Sequence, residues 1–133
     1  MKKIIKMMAI AIVSLSATIF VVSCSDIKSS EDLVGTWKMV ESGLNGPNEY
    51  HLWTLNNDGR GEWMLVDNKG VDDYDTIEKW FYSKDTDTIT IMIGDDYINL
   101  AISEVSDGGN TIKGVMGNSK FEKVYNFTMT RVR

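Results

Sequence analysis

The chain is poor in the residues that most often settle a function: it has one cysteine, one proline and one histidine among 133 residues. A single cysteine, Cys24, excludes an intramolecular disulfide. The lone histidine, His51, has serines and aspartates to pair with on paper, but no nucleophile-elbow sequence surrounds any of them. The expectation is therefore a non-enzymatic protein with no catalytic residue, no cofactor and no metal. Positive charge is scarce too. Without Lys2, Lys3 and Lys6 the 14 basic residues fall to 11 against 19 acidic ones, a net charge near −8. That balance excludes nucleic acid, and an anionic membrane surface, as electrostatic partners. Internal repeats and low-complexity runs are missing, and helical periodicity is absent after residue 32.

The chain opens with three lysines and then an apolar run from Met7 to Val22. The run falls short of the ~18–20 apolar residues a spanning helix needs, and a basic start followed by a short apolar core reads as an export signal. It ends in Val21-Val22-Ser23-Cys24, which resembles the bacterial lipobox. The resemblance implies cleavage after Ser23, a diacylglycerol on the Cys24 thiol, and usually a further acyl chain such as palmitate on the new amine. Each buried CH₂ contributes about 0.8 kcal/mol, so two or three chains hold where one is marginal. The expected organisation is a signal peptide over 1–23, a lipidated flexible stalk over 24–32, and a single folded domain over 33–133. The expected location is the cell envelope. Ser25 stands where some lipoproteins carry an inner-membrane-retaining aspartate, which favours the outer membrane and leaves its periplasmic or surface face open.

In the folded part, alternation replaces helical spacing. Thr88–Ile93 places three isoleucines on one face, Tyr97–Val105 does the same with Ile98, Leu100 and Ile102, and Lys123–Arg131 aligns Tyr125, Phe127 and Met129. Leu33–Val40, Tyr50–Leu55, Gly61–Val66, Thr76–Ser83 and Thr111–Met116 read as further strands. The gaps carry Asn, Asp and Gly, which tolerate the positive φ of tight hairpins. About eight short strands joined by such turns predict an all-β antiparallel up-and-down meander closed into a small barrel.

Leu33-Val34-Gly35-Thr36-Trp37-Lys38 resembles the Gly-x-Trp opening of lipocalins and their calycin relatives, including small lipocalin-like domains of bacterial lipoproteins. Thr54–Gly61 is similar to the strand-turn-glycine segment of those domains, and Phe127–Arg131 to their closing strand with its basic residue. The chain is shorter than a typical lipocalin and lacks a clear Thr-Asp-Tyr signature. The resemblance implies a barrel closed by Gly35, Trp37 and Arg131. Strand parity agrees: Arg131 shares the inward side with Tyr125, Phe127 and Met129, so it needs a partner, and the Trp37 ring offers one by a cation–π contact.

The aromatic and methionine content exceeds what a small filled core needs. This predicts a ligand pocket lined by Trp53, Trp63, Phe81, Ile91, Phe127 and Met129 and occupied by a small apolar ligand. The alternative is an accessory or inhibitory interaction module with a filled core, using loops and exposed aromatics to hold a protein or glycan partner. Lumen volume separates the two. The acidic stretch Asp67–Asp75 fails the EF-hand register, since Lys69 and Val71 fall on ligand positions and Asp72 where glycine is required. It reads as a looser calcium or magnesium site, or as a solvated hairpin loop whose charges discourage edge-to-edge association. Asp75-Thr76-Ile77 and Asp87-Thr88-Ile89 resemble an O-glycan acceptor pattern and are equally ordinary strand starts.

Overall fold

The computed structural model describes residues 27–118 and 121–132. The expected export segment and Cys24 lie outside them. Nine strands follow in order: β1 (Gly35–Glu41), β2 (Tyr50–Leu55), β3 (Gly61–Asp67), β4 (Gly70–Ile77), β5 (Lys79–Ser83), β6 (Thr88–Ile93), β7 (Asp96–Ser106), β8 (Thr111–Asn118) and β9 (Phe121–Arg131). All pair antiparallel in one sheet ordered β4-β3-β2-β1-β9-β8-β7-β6-β5. The meander curls until the first strand meets the last, with Trp37 opposite Arg131 and Met39 opposite Met129. The result is an all-β, nearly closed barrel.

About eight strands were expected, and the described residues form nine because one expected strand divides. The segment expected as one strand, Thr76–Ser83, is broken at Glu78 and begins earlier. Gly70–Ile77 bonds to β3, while Lys79–Ser83 bonds to β6 on the other side. The Glu78 N–H goes to the Met92 carbonyl (3.0 Å), and the Trp80 N–H to Gly59 (2.8 Å). One kinked length of chain thus changes partners at Glu78, and the ladder is interrupted there. The acidic stretch is mostly strand: the turn occupies Asp67–Gly70, and β4 is exposed along its length until Ile77. Its carboxylates therefore alternate across both faces of the sheet rather than converging in a loop.

Residues 27–32, expected as part of a flexible stalk, are placed against the barrel. Ile27 is buried, and Ser30–Leu33 forms a 3-10 turn instead of the start of β1. The Asp32 carboxylate accepts the Lys28 N–H (2.8 Å) and the Ser29 N–H (3.3 Å), holding this turn. Leu33 then caps one end of the core. Gly35 enters β1 at φ 140°, a conformation that side-chain-bearing residues rarely adopt.

The inward faces carry Trp37, Met39, Trp53, Leu55, Ile77, Trp80, Ile89, Ile91, Leu100, Ile112, Phe127 and Met129, all buried. Burying an apolar side chain of this size contributes about 1.5–3 kcal/mol. The indole N–H groups are satisfied as burial demands. Trp37 donates to the Leu33 carbonyl (2.9 Å), Trp80 to the Asn56 carbonyl (2.9 Å) and Trp53 to the Met39 sulfur (3.3 Å).

Candidate functional site

The barrel's two ends differ. At one end the Arg131 guanidinium carbon sits 4.3 Å from the centre of the Trp37 ring. The same guanidinium donates to the Val34 carbonyl (2.7 Å), the Asp32 carbonyl (2.6 Å) and the Asn110 side-chain oxygen (3.0 Å). One cation thereby ties the 3-10 turn, the β7–β8 connection and the last strand over a buried indole. This end is plugged.

At the other end a cavity of about 400 Å³ opens. Its wall passes from Glu41 on β1 through His51, Trp53, Trp63 and Asp75 to Ile93, Ile98, Met116 and Tyr125. The inward alternation explains its floor. One inward position further down the same strands come Met39, Ile91, Leu100 and Phe127, which are buried. Of the residues expected to line a pocket, Trp53 and Trp63 do so. Ile91, Phe127 and Met129 instead fill the packed layer beneath. Phe81 is a plain correction: Trp80 and Tyr82 face inward on β5, so the residue between them points out, 41% exposed. The Lys79 ammonium lies over its ring at 5.7 Å.

His51 belongs to the cavity wall. Its Nδ1 accepts the Trp63 indole N–H (2.9 Å), which assigns the ring hydrogen to Nε2, facing Glu41 Oε2 at 3.3 Å. Glu41 is itself nearly buried and also accepts the Gly43 N–H. The rings of Trp53 and Trp63 lie 5.8 and 6.0 Å from the His51 ring and 6.3 Å from each other, giving a continuous aromatic wall. Both imidazole nitrogens are engaged by side chains. Among the described residues, those lining the cavity include no serine, threonine or cysteine to act as nucleophile. Among the described residues, no group of three or more His, Cys, Asp or Glu side chains is placed to hold a metal ion. Nor is any described helix long and apolar enough to cross a membrane.

Burial lowers the His51 pKa below its ordinary 6.5, against the opposing pull of Glu41 and, more weakly, Glu49. The unfolded chain takes up the proton at the ordinary value, whereas the folded chain resists. Stability present above about pH 6.5 is therefore lost as pH falls through the folded value. Geometry agrees, because a protonated Nδ1 would point a hydrogen at the Trp63 N–H. Thermal melts from about pH 7.5 to about pH 5 should show this decline, and His51→Gln should flatten it. A profile identical in the two proteins would remove His51 as its cause.

Parity could have located Glu41 in advance, since it continues the inward series Trp37, Met39. Asp96 and Asn118, which also line the cavity, carry no such signal, because polar residues near hairpin turns usually read as solvated. Comparison of the chain with protein-family models, with curated proteins and with solved structures found no match.

Proposed function

We propose that this protein is an exported lipoprotein, tethered to the cell envelope through Cys24, whose lipocalin-like barrel carries a small apolar ligand and catalyses no reaction. The observation that carries the reading is the cavity: about 400 Å³, at the end away from the Trp37–Arg131 plug, with two indoles, two isoleucines and a methionine in its wall beside polar groups such as Glu41, His51, Asp75 and Lys123. That volume falls within the ~300–1,000 Å³ typical of small-molecule sites. The alternative, an interaction module with a filled core, requires a close-packed lumen. The Gly35–Trp37 opening and the Arg131 closure support the lipocalin likeness, and both sit at the plugged end, away from the site. His51 serves as a neutral wall residue that holds Trp63 in place.

Native mass spectrometry of protein purified from its own host tests the reading. The expected result is a retained small molecule that leaves on mild activation, together with acyl mass on Cys24. A ligand-free protein that also fails to take up any apolar probe would sink the carrier reading.

A further inference from the structure

We propose that the plugged end of the barrel lies against the lipid surface and the cavity mouth points away from it, so that ligand is exchanged with the aqueous side rather than with the bilayer holding the anchor. This rests on the reading that Cys24 is acylated. The chain is pinned from Ile27 onward. Ile27 is 3% exposed, and its carbonyl accepts from the Lys84 ammonium (3.0 Å), with the Tyr82 hydroxyl, which donates to Asp87 Oδ1 (2.6 Å), lying 3.3 Å away. Ser30 Oγ accepts the Tyr82 N–H (3.3 Å), and Asp32 is held by Arg131. Only Ser25 and Asp26 separate Cys24 from this pinned segment. Three residue steps reach at most ~11 Å.

The position of the pin decides the orientation. Ile27 is held by residues flanking the β5–β6 turn, where Ser83 pairs with Thr88. The cavity lies at the opposite end of β6, where Ile93 pairs with Asp96. At about 3.3 Å per residue, β6 separates pin from mouth by about 15–20 Å. A stalk flexible over all of 24–32, as expected from the sequence, would let the barrel turn freely, whereas two residues do not. Lys28 and Lys84 share the pinned end with Glu31, Asp32, Asp85 and Asp87, so electrostatic attraction to lipid headgroups does not set the pose. Tether length does, and the pose should be insensitive to salt.

The test uses the full acylated protein in phosphatidylcholine vesicles containing a nitroxide-headgroup lipid. A fluorophore is placed through Asp85→Cys in one sample and Asp95→Cys in another, the Cys24 thiol being blocked by its lipid. Quenching should be several-fold stronger at position 85 than at 95, and unchanged by salt. Inserting about a dozen Gly/Ser residues between Asp26 and Ile27 should erase the difference. Equal or reversed quenching in the uninserted protein overturns the orientation while leaving the carrier reading intact. Absence of acyl mass on Cys24, with no flotation on vesicles, overturns the anchor and this inference with it.

Discussion

Replacing Trp37 with alanine is expected to destabilise the protein by about 3–5 kcal/mol, and replacing Arg131 with alanine by about 2–3 kcal/mol. The first removes a fully buried indole at the plugged end. The second strands the Val34 and Asp32 carbonyls and the Asn110 side chain, which the guanidinium satisfies together, and removes the cation from the ring. The two losses should not add, because each single change already breaks the shared contact. Urea titrations of both single variants and the double variant give the coupling from shifts in midpoint at constant slope. Arg131→Ala should still retain the lumen ligand, since its contacts lie at the far end from the cavity. An unaltered melting temperature for Arg131→Ala would show that the plug contributes nothing.

Gly114→Ala should cost about 3 kcal/mol or more, at or above the usual upper range for overpacking. Gly114 lies between Ile102 on β7 and Phe127 on β9, beside an irregularity in the β7–β8 register. A Cβ there would fall on the Ala101 carbonyl oxygen and come within 3.0 Å of Phe127 Cε2. The carbonyl is backbone in the middle of the sheet and cannot move aside without breaking the ladder. Gly117→Ala, on the same strand, is the control. Its Cβ would meet nothing nearer than the Val124 side chain at 3.8 Å, so stability should change by less than about 0.5 kcal/mol. Loss of folding in Gly114→Ala with Gly117→Ala still folded would show that the Ala101 carbonyl leaves no room for a side chain at position 114. Equal stabilities for the two would refute it.

Much of the barrel was legible because most strands have one apolar face. Thr88–Ile93 and Tyr50–Leu55 are strands over the ranges read from the sequence, and the pairing of first strand with last, which the lipocalin resemblance implied, agrees with the inward parity of Trp37 and Arg131. β4 was not legible as a whole, because Gly70–Thr76 is exposed on both faces and so carries no alternation to read. The break at Glu78 was hidden for a related reason. Ile77 and Trp80 are both buried though three residues apart, an interval that fits neither strand parity nor a turn motif. The site was half legible. Trp53 and Trp63 announced themselves by size, whereas Phe81 sat in a run of three aromatics whose parity only the fold could assign. Glu41 and His51 carried a signal in their parity, obscured by the expectation that ionisable residues face water.

The pairing of β1 with β9 also orders events in time. A chain made from its N-terminus reaches Arg131 near the end of the sequence, and until then Trp37 has no strand on that side. Closing so long a segment costs entropy that grows only with the logarithm of its length, but it must be met before the contact gives anything back. Non-local pairing of this kind slows folding. The hairpins within β1–β4 and within β5–β8 can form on neighbouring residues alone, so the rate-limiting step should be the joining of the two sets through the last strand. Shortening the chain by a few residues at Arg131 should then leave a set of preformed hairpins that never becomes a ring.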